Sequence, residues 1–236
     1  MKIIFSSNVA WSVHNFRSRL LNFFKSKDHE IFVVANNDGY RDKLIDQGFK
    51  FFEIKFSNNK KNPLLDILLI FNYIKIYKKI NPDIIFHNAV KPNIYGTIAA
   101  DFLNIPTINN ISGLGTVFIK KTFSTKLVRF LYRFSQKKAT KVFFQNRDDF
   151  KLFINNKLII RDKCRVLNGS GSDINYFKPL PKTYVTENFQ FLFVGRLLYD
   201  KGIGEYIDAA KNLKKKYSNV DFNILGPFAE NNSSSI

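Results

Sequence analysis

A single cysteine, Cys164, stands in 236 residues. No disulfide can form within the chain, and the lone thiol reads as a small buried hydrophobe suited to a reducing compartment. Acidic residues are scarce: 19 Asp and Glu face 37 Lys and Arg, a net charge of +18. That imbalance implies attraction to polyanions such as nucleic acid, an anionic membrane or a phosphorylated substrate, without choosing among them. No apolar run reaches the ~20 residues of a membrane span. The nearest, PLLDILLIFNYIKIY, carries Asp66 and Lys75 and reads as a buried amphipathic helix. The opening MKIIFSSNVAW turns polar too soon for a secretory signal, so a cytoplasmic location is expected. No His/Cys cluster of zinc-site type is present, and no GxGxxG dinucleotide fingerprint.

The residues that are present describe a globular protein. Hydrophobic residues make up 45% and charged residues 24%, an ordinary balance. The 26 Phe, with abundant Lys, Asn and Ile, fit an AT-rich genome as well as selection at any one position. The length allows one large domain or two smaller ones, each with its own core.

Strand-like and helix-like segments alternate from the start. Strands are expected at 2–7, 30–36, 49–56, 83–88, 106–112, 141–146 and 163–169. Helices are expected at 14–27, 40–47, 63–79, 92–103 and 123–138, with another beginning at 147–153. This alternation predicts an α/β fold of βαβ units about a parallel sheet buried on both faces. The stretch GSGSDINYFKPLPKTYVTEN is broken by Gly and Pro and reads as a linker. Beyond it a new unit begins: strand 189–194, helix 203–216, strand 220–226. One βαβ unit cannot bury its own apolar faces. The expected organisation is therefore a complete Rossmann-like N-terminal domain over 1–168, a linker over 169–188 and an incomplete second Rossmann-like domain over 189–236.

The turn inside that second unit holds distinctive chemistry. In FLFVGRLLYDKG (191–202), Gly195 ends the strand, Arg196 follows, and Lys201 and Gly202 precede the helix. A helix N-terminus presents unpaired N–H groups and a partial positive charge. Ligands of open α/β sheets sit outside the carboxyl ends of the strands. Gly195, Gly202 and Gly204 admit close approach, Arg196 can fork onto phosphate oxygens, and Lys201 adds a point charge. Together they suit a diphosphate. The plainer alternative is a solvated basic turn with Arg196 paired to Asp200.

VGRLLYDKGIGEYIDAA resembles the donor-diphosphate motif of the glycosyltransferase family 4-like enzymes, retaining transferases of the GT-B fold. NFRSRLL (15–21), KPNIYG (91–96), SGLG (112–115), QNRDDFKLF (145–153), GSGSDINYFKP (169–179) and the closing LGPFAENN resemble the bacterial branch. That branch adds sugars to polyprenyl-diphosphate carriers or builds surface polysaccharide of the cell envelope. The resemblance implies that Gly195, Arg196, Lys201 and Gly202 hold the donor diphosphate. Arg196 and Lys201 would then stabilise the departing nucleotide diphosphate, where negative charge develops. It implies no metal and no cofactor beyond the sugar-nucleotide substrate. Asp148 and Asp149 begin a helix rather than forming a DxD motif after a strand. Gly113 and Gly115 would form a loop facing the interdomain cleft. His87 would be the candidate catalytic group near the sugar's reacting carbon, although it equally reads as a satisfied strand histidine.

The family's acidic pair for the donor sugar lies in a C-terminal part that this sequence does not reach, so a truncated second domain is expected. The expected function is transfer of a hexose or N-acetylhexosamine from a nucleotide-diphosphate sugar to a polyprenyl-diphosphate-linked or glycan acceptor. Whether the chain does so unaided stays open. The alternative is a non-catalytic acceptor- or membrane-binding fragment or subunit that needs a separate C-terminal half. The residues name neither sugar, nucleotide nor acceptor.

Residues 120–141, KKTFSTKLVRFLYRFSQKKATK, contain basic residues from Lys120 and Lys121 to Lys141 and no acid. Phe123, Leu127, Phe130, Leu131 and Phe134 recur at helical spacing. Such a helix can lie on the anionic inner face of the cytoplasmic membrane, at about 1 kcal/mol per basic residue near the surface. The alternative is a solvated helix whose apolar stripe packs on the sheet. Nucleic acid ranks last as a partner, because the basic residues are dispersed and no nucleic-acid module appears.

Overall fold

Successive residues of a strand point to opposite faces, and here that alternation divides one core into two. The structure, a computed structural model, describes residues 1–55, 63–113, 123–179, 181 and 187–228. Strand β1 (Lys2–Val9) sends Ile3 and Phe5 to one face and Ile4 to the other; β2 (Glu30–Asn36) sends Ile31 and Val33 one way and Phe32 and Val34 the other. The first face is covered by α1 (Ala10–Lys25) and α2 (Arg41–Asp46) through Val13, Leu21 and Leu44. The second is covered by α3 (Pro63–Ile80), α4 (Thr97–Phe102), α5 (Phe123–Lys138) and α6 (Arg147–Asn155). Tyr73, Tyr77, Ala99, Tyr132 and Phe153 carry that packing.

The sheet is completed by β3 (Lys50–Glu53), β4 (Ile84–Asn88), β5 (Thr107–Ile111), β6 (Lys141–Phe144) and β7 (Cys164–Val166). All neighbours are parallel, in the order β3-β2-β1-β4-β5-β6-β7. The direction of winding reverses between β1 and β4, which pair through Ile3↔Ile84 and Ser6↔His87. An open α/β sheet has its ligand crevice at such a reversal, outside the carboxyl ends of the strands.

Local features differ from the sequence-based expectation. Helix α1 starts at Ala10, not near residue 14, directly from extended Val9 (φ −139°, ψ 145°). Burial of Ala10 and Val13 accounts for the early start. The expected 92–103 helix is divided into a π-helical turn, Pro92–Gly96, and α4. Strand β3 ends at Glu53.

The chain divides into two compact units, Met1–Phe177 and Lys178–Ile236. Residues 169–177, expected in the linker, bond to the first unit: Gln145 Nε2 donates to Ser170 Oγ at 2.8 Å, and Arg19 pairs with Asp173 at 3.5 Å. In the second unit, β8 (Phe189–Val194) and β9 (Val220–Leu225) run parallel, joined through α7 (Ile203–Lys214). Phe191 stacks on Phe222 at 4.8 Å, and Tyr206 of α7 donates its hydroxyl to Asn223 O at 2.9 Å. Leu192, Val194 and Leu225, two registers of the opposite sheet face, are exposed.

Candidate functional site

In the second unit the turn after β8 is built from its hydrophobic residues. Leu197 and Leu198 are buried, and Leu197 bridges to Phe228, its N–H donating to Pro227 O at 3.1 Å. A 3-10 turn, Tyr199–Lys201, follows, and Gly202 at φ +83° links it to α7. No side chain caps α7, so its first-turn N–H groups stay open. Arg196 and Lys201 are exposed and form no ion pair among the described residues. Gly195 donates its N–H to Leu225 O at 3.0 Å and prolongs the β8–β9 pairing. Its carbonyl oxygen would lie 1.7 Å from a Cβ placed on Gly226. Gly226 was not singled out as a site residue; the LGP string carries it, but only the strand pairing reveals the close approach.

In the first unit the crevice at the β1/β4 reversal is a cavity of ≈ 300 Å³, lined by Ser7, Arg17, Asn88, Ser112, Gln145, Ser170 and three neighbours. Four quoted strings meet there: NFRSRLL brings Arg17, SGLG brings Ser112, QNRDDFKLF brings Gln145, and GSGSD brings Ser170. Arg17 Nε donates to Asn88 Oδ1 at 3.1 Å. Ala89, the next residue, holds φ +76°, a left-handed conformation that costs a non-glycine residue about 1–3 kcal/mol and concentrates at functional sites. Sequence reasoning did not single out these residues, because their separation along the chain hides that they meet. Gly113 is exposed beside this edge, with open space where a Cβ would sit; Gly115 lies outside the described residues.

His87 is placed differently from the catalytic expectation. It is fully buried in β4, register partner to Asn109 of β5. Its Nδ1 lies 2.9 Å from Asn109 Oδ1, an acceptor, so the proton is on Nδ1; Nε2 accepts from the Tyr77 hydroxyl at 2.9 Å. Burial lowers its pKa to about 4, which keeps it neutral. Both ring nitrogens are committed to core partners, and His87 does not line the crevice. The arrangement is that of the satisfied strand histidine. Asn109 also donates to Gln136 Oε1 at 2.7 Å, and Gln136 Nε2 donates to Asn93 O at 2.7 Å in the π turn. A π turn breaks the helical bonding pattern, and these side chains supply a donor that it needs. The network thereby holds the chain that follows Asn88 and Ala89.

Asp148 and Asp149 occupy the first turn of α6. Asn146 Oδ1 accepts from Asp149 N–H at 2.7 Å and Asn146 Nδ2 donates to Asp149 Oδ2 at 2.8 Å, a reciprocal cap. Among the described residues no three His, Cys, Asp or Glu side chains gather as a metal site.

Helix α5 turns only part of its apolar stripe inward. Tyr132, Ser135, Gln136 and, just past its end, Ala139 are buried, whereas Leu127, Phe130 (64%) and Phe134 are exposed. Val128 and Leu131 pack partly buried against the same core, Gln136 is buried where it serves the π turn, and Phe130 and Phe134 stay outside beside Lys126, Arg133 and Lys137. Lys138 pairs with Asp101. Lys120 and Lys121 lie outside the described residues. No helix among the described residues is long and apolar enough to cross a membrane.

Residues 2–146 match the family described as glycosyl transferase 4-like. The chain belongs to that family. Its fold is α/β of the GT-B type, with the seven-stranded parallel unit and part of a second Rossmann-like unit. HepE from Anabaena, solved with UDP and glucose, matches with a TM-score of 0.68 at 18% identity, over 95% of this chain and 60% of that one. Sucrose-phosphate synthase from Thermosynechococcus elongatus matches at 0.72 and 11% identity, over 100% and 64%. At these identities the likeness is one of fold. By sequence, the chain is 30% identical to the N,N'-diacetylbacillosaminyl-diphospho-undecaprenol alpha-1,3-N-acetylgalactosaminyltransferase of Campylobacter jejuni, over 99% of this chain and 65% of that protein. It is 27% identical to the capsular polysaccharide biosynthesis glycosyltransferase CapM of Staphylococcus aureus, over 98% and 63%. The chain thus spans just under two thirds of the length of these relatives.

Proposed function

We propose that the chain is a sugar transferase, moving a hexose or N-acetylhexosamine from a nucleotide-diphosphate donor to a polyprenyl-diphosphate-linked or glycan acceptor with retention at the anomeric carbon. The observation that carries this reading is the turn before α7: an uncapped helix N-terminus beside two exposed cations, in a chain of the glycosyl transferase 4-like family. In the transfer, the bond from the anomeric carbon to the diphosphate breaks and the acceptor oxygen takes its place. The acceptor proton leaves with the diphosphate. Arg196, Lys201 and the α7 N–H groups stabilise the charge that builds on the departing oxygens. His87, sealed in the core, takes no part in the step and supports the π turn through Asn109 and Gln136 instead. Solved proteins of like fold bind UDP, as HepE does, and the Campylobacter relative acts on a diphospho-undecaprenol carrier; both support the choice of substrates.

The exposed aromatic and basic side of α5 supports peripheral attachment to an anionic membrane at the inner face, where a polyprenyl carrier resides. The test of the transfer is turnover of sugar nucleotide with a polyprenyl-diphosphate glycan on anionic vesicles. Arg196→Ala and Lys201→Ala are each expected to lower turnover by roughly 100-fold, the size of losing one preorganised charge contact. Unchanged turnover in both variants overturns the assignment.

A second reading has its own observation, the uncovered Leu192, Val194 and Leu225 face of the β8–β9 pair. A parallel pair of strands has both faces covered in a finished domain. On this reading the chain binds acceptor and membrane and works with a separate C-terminal half. Turnover absent alone but restored by adding the C-terminal part of a relative would distinguish it.

A further inference from the structure

The crevice of the first unit has a charge and hydrogen-bond balance that calls for an anion. Arg17 is half-buried in it, and no carboxylate lines it. Arg17 forms no ion pair among the described residues, whereas Arg19, two residues on, pairs with Asp173. Burial draws the Arg17 pKa below its ordinary value, the mark of a cation removed from water without a countercharge. The polar groups around it are arranged as donors. Asn88 Oδ1 accepts both from Arg17 Nε at 3.1 Å and from Asn110 Nδ2 at 3.3 Å, which commits the oxygen and leaves the Asn88 NH₂ to donate. Gln145 Nε2 donates to Ser170 Oγ at 2.8 Å, which leaves the Ser170 hydroxyl hydrogen to donate. With Nε anchored, the two Nη groups of Arg17 remain as a planar fork, the geometry that suits phosphate oxygens. Ser7 and Ser12 are less available: Ser12 donates to Val9 O at 2.9 Å, and the two hydroxyls bond each other at 2.7 Å.

The backbone is held to the same end. Ala89 keeps its left-handed φ of +76° while its carbonyl accepts the Asn93 N–H at 3.1 Å, so the π turn and the His87 network fix the chain end that carries Asn88. The volume of ≈ 300 Å³ is at the lower end of ordinary small-ligand sites.

We propose that this crevice is a second anion site, in which the Arg17 fork, the Asn88 amide and the Ser170 hydroxyl bind a phosphate or diphosphate group. Resting on the transfer reading above, that group is the diphosphate of the acceptor. It is a different chemical group from the donor diphosphate assigned to Arg196 and Lys201, and Arg17 is then the residue that selects acceptors carrying a diphosphate over neutral glycans.

The test uses the full chain with Arg196→Ala and Lys201→Ala already in place, so that the donor turn does not contribute. Inorganic pyrophosphate and geranylgeranyl diphosphate are titrated by calorimetry at constant ionic strength, and melting is followed with and without each. Both probes are expected to bind and raise the Tm. Arg17→Gln weakens both at least tenfold and removes the ligand-induced rise; Arg17→Lys, which keeps charge without the fork, falls between. Ligand-free Tm in Arg17→Gln stays level or rises, since an uncompensated charge has been removed. Pyrophosphate binding unchanged in Arg17→Gln overturns the proposal. So does a ligand-free Tm that falls while the ligand-induced rise persists, which marks a structural arginine. Arg17-dependent binding of pyrophosphate with no binding of the prenyl diphosphate upholds the anion site and removes the lipid-linked acceptor from the transfer reading.

Discussion

Tyr77 donates its hydroxyl proton to His87 Nε2 across 2.9 Å, inside a core that excludes water from both. The imidazole is neutral in the fold, with a pKa lowered to about 4 by burial, against about 6.5 in an unfolded chain. Between those values the unfolded chain binds the extra proton. The His87 contribution is therefore complete above about pH 6.5 and lost as pH falls toward 4, at up to about 1.4 kcal/mol per pH unit. Urea unfolding at several pH values should show this slope in the wild type and a shallower one in His87→Gln. Equal slopes across that window would remove the histidine from the acid sensitivity of the fold.

Gly96 belongs to the same network. A Cβ on it would meet His87 Nε2 at 2.6 Å and the Tyr77 hydroxyl at 3.0 Å. Both groups are held by hydrogen bonds, so the methyl of Gly96→Ala forces a shift of the π turn. A loss of about 1–3 kcal/mol is expected, as for other overpacked cores. A denaturation midpoint equal to wild type would show that the turn yields freely.

The second unit has a sharper sensitivity. Gly226→Ala would place its Cβ 1.7 Å from the Gly195 carbonyl oxygen, backbone that cannot swing aside, so the β8–β9 pair must open at that end. Gly202→Ala meets only the left-handed penalty of its φ +83°, about 1–2 kcal/mol. Limited proteolysis should cut the second unit of Gly226→Ala faster than that of Gly202→Ala, and leave Met1–Phe177 intact in both. Equal resistance would contradict the close approach.

On α5, Phe130 and Phe134 are exposed, while the buried side is Tyr132, Ser135 and Gln136. Phe130→Ser with Phe134→Ser should weaken sedimentation with anionic vesicles severalfold at unchanged Tm. Arg133→Glu with Lys137→Glu should weaken it further and reduce its salt dependence. A drop in Tm without loss of vesicle binding would mean that the aromatic side packs within the protein instead.

At α6, Asn146→Ala removes the acceptor for Asp149 N–H and should cost about 1 kcal/mol of stability. Turnover at saturating divalent metal should be the same in Asp149→Asn as in wild type. A metal-dependent loss there would reassign Asp149 from cap to ligand.

Hydrophobic periodicity carried much of the architecture. Continuous apolar runs such as Ile3–Phe5 and Ile31–Val34, alternating along the chain with segments of helical spacing, made a parallel α/β sheet legible, since both patterns are local. The π turn at Pro92–Gly96 was not legible. Its cause is distant in sequence: Asn109 and Gln136 reach Asn93 from other elements. Helix α5 was open to two readings, a membrane-facing stripe or a core-packing one, for a related reason. Its stripe is divided by the fold, with Leu131 packed on the core and Phe130 and Phe134 exposed, while Gln136 takes a buried position because the π turn requires its amide.

The turn FLFVGRLLYDKG was legible because strand end, glycines and cations are adjacent in the chain, and a helix N-terminus needs no distant partner to be positive. The Arg17 crevice was not, since Arg17, Asn88, Gln145 and Ser170 meet only after β1 and β4 become neighbours. Short-range order and charge depend on side chains a few residues apart, and those the amino-acid string determined alone. Which histidine is sealed in the core, and which arginine is left without a countercharge, was decided by tertiary packing, because desolvation and long-range hydrogen bonds exist only once remote segments exclude water together.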